Sequence, residues 1–266
     1  MTIDIDAVTK ILREAAEEAV LPRFGALSEG DVMEKSPGQI VTVADHEAEK
    51  IITARLPGVV DAPVVGEEAV STDPALLDAL RKEPLVWLVD PVDGTRNFSK
   101  AVPEYAMMVA LVREGRSVAA WILRPEKDLF HIAELGSGAW RGTTRLWRSP
   151  APSAPDLLRG TVQPPDVRAH LSAEPPGFAK IGPGARCVGV EYPRLVEDDL
   201  DFALYRRTSP WDHAPGSLLL TEAGGVARRL EGDPYRPDDD RVGLLCASDP
   251  GTWQTARSLL PTRNGC

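Results

Sequence analysis

An apolar segment that ends in two aspartates constrains this chain more than any other feature. Residues 85–98 read LVWLVDPVDGTRNF, so Asp90 and Asp93 stand at the end of a predicted buried strand, just before a Gly-Thr turn. Carboxylates are the oxygen ligands that Mg²⁺ prefers, and the free N–H groups of such a turn favour an anion. The two aspartates could instead cap a helix that begins near Thr95, because Asp is a favoured N-cap residue. The segment alone leaves both alternatives open: a site for metal and phosphate, or a helix cap.

Two further acidic segments favour the metal site. The β-rich run at 62–70 leads into the adjacent acids Glu67 and Glu68. The segment at 209–225 places Asp212 at the start of a helix in which apolar residues recur at helical spacing. Three acidic ends of strands or helices in one short chain predict a shared centre that binds more than one metal ion.

The order of these motifs along the chain resembles the signatures of the inositol monophosphatase family, whose members are Mg²⁺-dependent, lithium-sensitive phosphomonoesterases. The residues that carry the resemblance are Lys35, Val41-Thr42, Asp45, Gly66-Glu67-Glu68, Trp87 to Thr95, Asn97-Phe98, Gly136 to Ala139, Trp211 to Gly216 and Glu222 to Gly225. They cover nearly the whole chain. Periodicity alone indicates a mixed α/β fold, whereas the resemblance implies an α/β (α+β) fold, the layered αβαβα sugar-phosphatase architecture. It also implies a homodimer.

The composition predicts a chain with a large core and an acidic surface. With 266 residues, of which 43% are hydrophobic, the chain can form one large domain or two closely packed halves. A formal net charge of −10 argues against a surface that coats nucleic acid. An acidic protein that binds a phosphate ester also needs cations at its site. The predicted partner is a small phosphorylated metabolite, with no nucleic acid polymer and no membrane.

The cysteines and the N-terminal segment predict a cytoplasmic protein. Cys187, Cys246 and Cys266 are widely spaced and form no CxxC pair, which argues against a disulfide framework or a zinc site. The N-terminal segment MTIDIDAVTKILREAAEEAV is acidic and helical in pattern, and no apolar run reaches the length of a membrane span. A reducing compartment suits such a chain.

The pattern of apolar residues predicts a mixture of helices and strands. Helices are predicted over 3–24, 42–56, near 197–205, over 212–224 and from Asp249-Pro250 onward. Strands are predicted over 62–66, 85–89, 106–113, 118–123, 186–191 and 242–247, with a strand and turn over 132–140. The Pro-rich segment at 149–177 predicts a boundary inside one compact catalytic unit. The N-terminal half, 1–148, would carry most metal ligands, and the C-terminal half, 149–266, would carry Asp212 and the substrate-side residues.

The family resemblance assigns ligands to two metal ions. It implies that Glu67, Asp90 and the main-chain carbonyl of Val92 bind one Mg²⁺ ion. It implies that Asp90, Asp93 and Asp212 bind a second, so that Asp90 bridges the two. Two nearby metal ions polarise a phosphate ester and activate a water molecule for in-line attack. Glu67 is therefore expected to serve catalysis as well as metal binding.

The resemblance also implies residues that position water and phosphate. A threonine hydroxyl held by a distant aspartate orients the water, and Thr95 and Asp45 occupy those positions. The N–H groups of Gly94 and Thr95 would bind the phosphate oxygens. The expected cofactor is two or three Mg²⁺ ions, and Gln39 replaces an acid common in the family, which weakens a third site.

Three residues are expected next to the ligands. Lys35 fits the family pattern. Glu68 is either a residue just outside the metal ligands or a solvated neighbour of Glu67. His213 follows a ligand directly and could serve in one of two roles, a supporting hydrogen bond or a general acid. The hydrogen bond is favoured, because metal-bound water can protonate a leaving group.

The substrate side departs from the pattern of the members that are specific for inositol phosphate. Those members carry an acid that binds ring hydroxyls, whereas this chain has Tyr205-Arg206-Arg207. That difference puts inositol 1-phosphate in doubt. Glu191 could supply a carboxylate for sugar hydroxyls or for a cation. Glu191, Tyr205 and Arg206 are therefore the predicted substrate contacts.

Several functions remain as alternatives at this point. The preferred hypothesis is a phosphatase for a small phosphorylated polyol, either an inositol monophosphate or a sugar phosphate. A histidinol-phosphate phosphatase would use Glu191 as its cation partner. A phosphatase for 3′-phosphoadenosine 5′-phosphate would need a basic and aromatic pocket. A noncatalytic regulatory protein on the same fold would be expected to have lost a ligand, and the sequence retains all of them.

Overall fold

The chain forms a mixture of helices and strands. The computed structural model describes residues 3–173 and 177–260. Its α-helices are α1 (Ile5–Ala15), α2 (Val43–Arg55), α3 (Glu67–Thr72), α4 (Ala79–Lys82), α5 (Thr95–Phe98), α6 (Pro165–Ala173), α7 (Val188–Val196), α8 (Pro210–Glu222) and α9 (Pro250–Leu259). Its strands are β1 (Val32–Ser36), β2 (Gln39–Thr42), β3 (Val64–Gly66), β4 (Leu85–Asp93), β5 (Ala106–Arg113), β6 (Arg116–Arg124), β7 (Leu129–Glu134), β8 (Gly138–Arg141), β9 (Thr144–Leu146), β10 (Arg159–Val162), β11 (Lys180–Gly182), β12 (Phe202–Tyr205), β13 (Val226–Arg229) and β14 (Leu244–Ala247).

The helix predicted over 3–24 is confirmed. Asp4 caps the N-terminus of α1 through its side chain. The helical path then continues through a π-helical segment, Ala16–Val20, and a 3₁₀ turn, Leu21–Arg23. It ends before Gly25, whose φ of +72° reverses the backbone in a conformation that favours glycine.

A seven-stranded sheet forms the centre of the N-terminal part, in the order β3-β4-β5-β6-β7-β8-β9. β4 lies between β3, which runs parallel to it, and β5, which runs antiparallel. Successive side chains of β5 point to opposite faces. Met107, Val109 and Leu111 pack with α1 and α2. Ala106 and Met108 pack with α7 and α8. The sheet is therefore covered by helices on both faces.

A five-stranded sheet, in the order β11-β10-β12-β14-β13, lies beyond α7 and α8. Ala203 and Cys246 face those two helices. Phe202, Leu204 and Leu245 face the other way and pack with α6 and α9. The layers are α1 and α2, the first sheet, α7 and α8, the second sheet, and α6 and α9. This order confirms the predicted αβαβα architecture.

Two predicted elements in the C-terminal part are wrong. The segment predicted as a strand over 186–191 contains the start of α7, and the segment predicted as a helix over 197–205 ends in β12. Nearly every residue of α7 is buried, so its valines show no helical stripe and favour a strand by propensity alone. All four residues of β12 are buried, so the run lacks the alternation that indicates a strand.

The remaining predicted elements are present within a few residues of their expected bounds. The predicted helices 42–56 and 212–224 and the helix after Asp249 correspond to α2, α8 and α9. The predicted strands correspond to β3, β4, β5, β6 and β14, and the strand and turn at 132–140 to the junction of β7 and β8. Local sequence thus locates both long elements such as α2 and short ones such as β3.

The predicted boundary segment, 149–177, overlaps the connection between the two sheets and also contains β10 and α6. The first sheet ends at β9 and the second begins at β10. α8 nevertheless packs against β4, β5 and β6, so the C-terminal part contributes to the core of the N-terminal sheet. The division into halves at residues 148 and 149 stays a prediction.

The thiols and the helix lengths bear on two further expectations. Cys187 and Cys246 are buried and free, and Cys266 lies outside the described residues. Within the part of the chain that the structure describes, no helix has both the length and the apolar character needed to cross a membrane.

Candidate metal centre

Three carboxylates from three elements meet at one end of the seven-stranded sheet. Glu67 begins α3 directly after β3, Asp90 lies near the end of β4, and Asp212 lies in the first turn of α8. Because β3 and β4 run parallel, their carboxyl ends reach the same side of the sheet. Carboxylate oxygens of the three residues lie within 4.8 Å of one another. One metal ion can therefore bind to all three.

The electrostatics of this cluster favour a cation. Asp90 is 2% exposed, and its Oδ1 atom has no hydrogen-bond partner within the described residues. Burial raises the pKa of Asp90 well above its ordinary value, and the charges of Glu67 and Asp93 raise it further. Burial also raises the pKa of Asp212 well above its ordinary value. A bound cation would stabilise the ionised carboxylates, so this set of oxygen ligands fits a hard divalent metal ion.

A β-bulge frees the carbonyl of Val92. The register of β4 against β5 shifts between Asp90 and Asp93, and Pro91 has no N–H to donate to the sheet. The Val92 carbonyl accepts a hydrogen bond from the hydroxyl of Thr95 at 2.9 Å. The bulge thus lies at Val92, whose main-chain oxygen is the one that the resemblance implies as a metal ligand.

Asp45 combines a helix cap with a contact to Thr95. It is the third residue of α2, and its Oδ2 atom accepts hydrogen bonds from the N–H of Thr42 at 2.8 Å and from the Thr42 hydroxyl at 2.6 Å. Its Oδ1 atom accepts a hydrogen bond from the Thr95 hydroxyl at 3.1 Å. Burial raises the pKa of Asp45 to about 6, and the hydrogen bonds from Thr42 oppose that rise. One carboxylate therefore serves both the start of α2 and the predicted water-orienting pair.

Asp93 lies beside the three-acid cluster and is held by the start of α7. Its Oδ2 atom accepts hydrogen bonds from the N–H of Gly189 at 2.6 Å and from the thiol of Cys187 at 3.0 Å. A Cβ atom at Gly189 would lie 2.5 Å from the Cβ of Ala106, so the close approach requires glycine. Burial raises the pKa of Asp93 to about 6. The hydrogen bonds orient the whole carboxylate at the edge of the cluster.

Lys35 contacts both glutamates at the start of α3. Its Nζ atom lies 3.1 Å from Oε1 of Glu67 and 2.5 Å from Oε1 of Glu68. Burial lowers the pKa of Lys35, but the two carboxylates outweigh that effect and the net shift is upward. Glu68 is 4% exposed, and burial raises its pKa to about 8. Glu68 is therefore a buried partner of Lys35 and not a solvated neighbour of Glu67.

Glu49 supports the segment that carries the ligand glutamate, and sequence analysis missed it. Its carboxylate accepts the N–H groups of Glu68 and Ala69, each at 2.8 Å. A Cβ atom at Gly66 would lie 2.3 Å from the Glu49 carboxylate carbon, so this contact requires glycine. Glu49 follows Asp45 by four residues and lies on the same face of α2. An acid on the buried face of that helix was the signal available in the sequence.

Gly94 turns the chain from β4 into α5. Its φ is +85°, and a Cβ atom there would lie 3.0 Å from the carbonyl oxygen of Glu104 and 3.0 Å from the Cβ of Cys187. At the start of a helix the N–H groups have no partner inside the helix. The prediction that the N–H groups of Gly94 and Thr95 bind phosphate stays a prediction.

His213 is hydrogen-bonded through both ring nitrogens. Its Nε2 atom lies 3.1 Å from the carbonyl oxygen of Arg207, and its Nδ1 atom lies 2.9 Å from the hydroxyl of Tyr192. Because a carbonyl only accepts, Nε2 carries the proton and Nδ1 accepts from Tyr192. Burial lowers the pKa of His213 to about 3, so the ring is neutral. This geometry favours the supporting hydrogen bonds over a general acid.

A cleft lies over the cluster, and its walls carry arginines. It consists of two adjoining cavities of about 290 and 460 Å³. Both cavities are lined by Arg96, Arg186, Arg207 and Asp212. Three of the five predicted ligands, Glu67, Asp93 and Asp212, line one cavity or the other.

The three predicted substrate contacts lie outside the lining of this cleft. Glu191 is 4% exposed and Tyr205 is 1% exposed, because both pack in the interior between α7 and the second sheet. Arg206 pairs with Asp166 at 2.5 Å. Arg207, the next residue along the chain, lines both cavities. The structure thus places Arg207 in the lining of the cleft and the three predicted contacts outside that lining.

Acidic side chains at the floor of a cleft with basic walls, on a layered αβαβα fold, define a metal-dependent hydrolase of phosphate esters as the class of this protein. The chain belongs to the inositol monophosphatase family, whose model matches residues 4–264. The predicted family is thus confirmed, and with it the class of phosphoric monoester hydrolase.

Individual relatives agree with this membership. The chain is 30% identical over 246 residues to the inositol-1-monophosphatase of Rhizobium meliloti (strain 1021), covering 87% of this chain and 86% of that protein. It is 26% identical over 250 residues to the 3′(2′),5′-bisphosphate nucleotidase CysQ of Escherichia coli (strain K12), covering 88% and 94%. The crystal structure of the extragenic suppressor protein suhB from Bartonella henselae matches with a TM-score of 0.81 at 24% identity, covering 98% and 99% of the two chains. That last likeness concerns the fold.

Proposed function

We propose that the chain is a Mg²⁺-dependent phosphomonoesterase that hydrolyses a small phosphorylated metabolite with an oriented water molecule. The observation that carries this proposal is the hydrogen bond between Thr95 and Asp45 in a cleft that also contains the acid cluster. A binding protein would need the cluster, but it would not need a buried carboxylate to fix the direction of one hydroxyl group. The names of the relatives from Rhizobium meliloti and Escherichia coli support the same reaction class.

The ligand assignment is the one that the family resemblance implies, and the cluster of Glu67, Asp90 and Asp212 supports it. Glu67, Asp90 and the carbonyl of Val92 would hold one Mg²⁺ ion, and Asp90, Asp93 and Asp212 would hold a second. Bound there, the ions would polarise the ester phosphate and lower the pKa of a water molecule in the site. A third ion would be held weakly, because Gln39 offers the cleft an amide where an acid is expected.

Thr95 and Asp45 set the direction of the attacking water. The Thr95 hydroxyl has one hydrogen, and two acceptors compete for it: Oδ1 of Asp45 at 3.1 Å and the carbonyl of Val92 at 2.9 Å. When Asp45 is ionised and the Val92 carbonyl serves as a ligand, the hydrogen points to Asp45. The lone pairs of Thr95 are then free to accept a hydrogen bond from water, which fixes the water's position for attack. The N–H groups of Gly94 and Thr95 would bind the phosphate oxygens.

The structure changes the balance among the candidate substrates. A polyol phosphate, either inositol monophosphate or a sugar phosphate, remains the general class. The histidinol-phosphate alternative loses its support, because Glu191 is buried and accepts a hydrogen bond from the main chain. A noncatalytic role is disfavoured, since the predicted ligands and the pair of Thr95 and Asp45 are all present. The homodimer and the cytoplasmic location remain proposals that rest on the family resemblance and on the free thiols.

A phosphate-release screen tests the proposal. The purified chain is incubated with inositol phosphates, sugar phosphates, nucleotides and an aryl phosphate, with Mg²⁺ or with a chelator. We expect release from at least one ester, abolished by the chelator and restored by Mg²⁺. Thr95→Ala is expected to lower kcat with little change in the Mg²⁺ requirement, whereas Arg116→Gln, an exposed substitution outside the cleft, serves as the control. Release that persists in the chelator would contradict the proposal.

A further inference from the structure

A further cavity lies apart from the cleft over the metal cluster. It is lined by residues of β6, α8 and β13 and of the loop between β13 and β14, and Ser117, Thr221 and Tyr235 mark three of its walls. We call it the α8 cavity. Its volume of about 510 Å³ exceeds that of either cavity of the cleft, and within the described residues the two sites share no lining residue. Small-molecule sites span roughly 300–1,000 Å³. The α8 cavity therefore has room for a ligand of its own.

Much of the wall of the α8 cavity is apolar. Leu218, Ala227, Pro234 and Tyr235 line it. Leu135 lines it as well, with 50% of its surface exposed. Contact with an apolar ligand would remove this surface from water, which is favourable. The wall therefore favours a ligand with an apolar body.

Two hydroxyl groups on this wall have already used their hydrogens. The Ser117 hydroxyl donates to the carbonyl of Ala214 at 3.0 Å. The Thr221 hydroxyl donates to the carbonyl of Ser217 at 2.9 Å. A hydroxyl whose single hydrogen is engaged can only accept from a ligand. These two groups therefore offer no donor to an anion, and an anionic head would have to bind elsewhere in the cavity.

The donors of the α8 cavity are three arginines. Arg241 pairs with Asp233 at 2.6 Å, and Arg236 pairs with Asp238 at 2.7 Å. Arg116, at the start of β6, is exposed, and its guanidinium has no hydrogen-bond or ion-pair partner among residues 3–173 and 177–260. A guanidinium group that has no acidic partner is a strong donor for an anion. The charge of the cavity therefore favours a negatively charged head at Arg116.

Tyr235 connects the α8 cavity with the metal centre. Its ring lines the cavity, and the ring centroid lies 6.2 Å from that of His213, which follows the predicted ligand Asp212. The guanidinium of the fully buried Arg229 lies 5.0 Å from the same ring centroid. Within the described ranges the buried Tyr235 hydroxyl has no hydrogen-bond partner, so the position of this side chain depends on its ring contacts. Packing of a ligand on Tyr235 would thus act on residues next to Asp212.

Arg229 provides a second connection. It pairs with Asp239 in the loop that lines the cavity, and it donates to the Thr208 hydroxyl at 3.0 Å. The Thr208 hydroxyl donates in turn to the carbonyl of Arg241 at 2.8 Å. Thr208 lies just before α8, which carries Asp212 in its first turn. The loop at the cavity and the segment that leads to the metal ligand are therefore held together.

We propose that the α8 cavity is a regulatory site that binds a small amphipathic anion and couples its binding to that of Mg²⁺. The apolar body packs against α8 and Tyr235, and the anionic head binds Arg116. A ligand that restrains Tyr235 also restrains the residues behind Asp212, so less freedom is lost when Mg²⁺ binds, and each ligand strengthens the binding of the other. The coupling rests on the proposed function, whereas the binding site does not.

A matched pair of fluorescent probes tests the site. The first is 8-anilinonaphthalene-1-sulfonate, and the second is N-phenyl-1-naphthylamine, which has the same rings without the sulfonate. Each probe is titrated with the full chain and excited beyond the absorption of tryptophan, which gives its Kd. Arg116→Gln should weaken the binding of the sulfonate probe by about tenfold or more, as loss of a charge-assisted hydrogen bond does, and leave that of the neutral probe nearly unchanged.

Two further variants locate the bound probes. Thr221 is exposed and lines the cavity, so Thr221→Trp would place an indole ring inside it and should abolish the binding of both probes. Arg207→Gln makes the same charge change as Arg116→Gln in the lining of the cleft, and it should bind both probes as wild type does. Should Thr221→Trp fail to fold, Arg116→Gln still tests the site, because the altered side chain is exposed.

The coupling is measured by repeating the titrations with Mg²⁺ and with a chelator. Mg²⁺ should lower the Kd of both probes by about fivefold or more, the lower end of typical couplings between sites. The neutral probe separates packing from long-range attraction, because neutralisation of the acid cluster by Mg²⁺ would favour the charged probe alone. In Asp90→Asn, which lacks the bridging ligand, Mg²⁺ should change neither Kd.

The contrary outcomes are distinct. Probe binding that survives both Arg116→Gln and Thr221→Trp would place the probes elsewhere and overturn the site. A Kd that Mg²⁺ leaves unchanged, or changes for the sulfonate probe alone, would overturn the coupling and with it the regulatory role. Absence of phosphate release from every ester, together with probe binding as expected, would overturn the proposed function and leave the α8 cavity as a ligand site.

Discussion

Replacement of Asp45 by asparagine separates orientation of water from the stability of α2. The carboxylate uses one oxygen for two hydrogen bonds from Thr42 and the other for the hydroxyl of Thr95. An asparagine side chain has one acceptor oxygen, so it can keep only one of these arrangements. Two hydrogen bonds outweigh one, and the oxygen should stay with Thr42. The amide nitrogen then faces Thr95 and donates to it, and the Thr95 hydrogen turns to the carbonyl of Val92.

The expected result is a large kinetic loss with a small loss of stability. Because Thr95 then accepts from the amide, it no longer presents the same lone pairs to water, and kcat should fall by about 100-fold or more, the range for a lost proton acceptor. The helix cap survives, so the free energy of unfolding should change by less than about 1 kcal/mol. Mg²⁺ affinity should stay close to wild type, because Asp45 is not a ligand. Steady-state kinetics, Mg²⁺ titration and thermal denaturation measure the three quantities.

Thr42→Ala and the double variant provide the controls. Thr42→Ala removes only the capping hydroxyl, so it should lower the free energy of unfolding by about 1 kcal/mol and change kcat far less than Asp45→Asn. Thr95→Ala combined with Asp45→Asn should be little worse than the poorer single variant, since both act on one water molecule. The assignment of Thr95 and Asp45 to water orientation would be refuted if the kcat losses of the two single variants multiplied fully in the double variant. It would also be refuted if the loss of activity arose mainly from weaker Mg²⁺ binding.

Three further predictions follow from particular contacts. Burial raises the pKa of Glu191 from 4.5 to about 7, so the native state keeps a proton that the unfolded chain releases, and wild type loses stability as pH rises through about 7. The melting temperature of Glu191→Gln minus that of wild type should therefore rise between about pH 5 and about pH 8. A difference that stays constant over this pH range would contradict the prediction. Gly66→Ala should lower both stability and Mg²⁺ affinity, because its Cβ atom would displace Glu49, which lies 2.3 Å from that position; normal Mg²⁺ binding would argue against the role of Glu49. Lithium should inhibit turnover, as the family resemblance implies, and insensitivity would indicate an altered site around Asp93 and Asp212.

Local sequence determines the metal end of the cleft. The apolar run of β4, the turn at Gly94 and the capping pair of Thr42 and Asp45 each depend on neighbouring residues, so their patterns are visible in the sequence. Of the two alternatives for the first acidic segment, the helix cap is wrong: a helix does begin at Thr95, but its N-cap residue is Gly94 and no side chain caps it, whereas Asp90 lies in the cluster.

The lining of the cleft depends on contacts between distant parts of the chain, so sequence patterns do not show which polar residues reach it. The polar residues after β12 cannot be assigned to a side by periodicity once the strand ends at Tyr205, and the structure places Arg207 rather than Arg206 in the cleft lining. Glu191 was predicted to contact substrate and to end a strand over 186–191, but it lies inside a buried helix and contacts the loop before Arg186. Only the packing of α7 shows which function it serves.

The metal centre is tested most directly by the melting temperature of wild type and Asp90→Asn, each measured with and without Mg²⁺. Asp90 is buried, its Oδ1 atom lacks a partner within the described residues, and its charge is repelled by neighbouring acids. Without Mg²⁺ the neutral variant should therefore be at least as stable as wild type. Addition of Mg²⁺ should raise the melting temperature of wild type and leave that of Asp90→Asn almost unchanged. Turnover by Asp90→Asn should be abolished. Equal stabilisation of both proteins by Mg²⁺, with near-normal turnover in the variant, would contradict a metal centre built on Asp90.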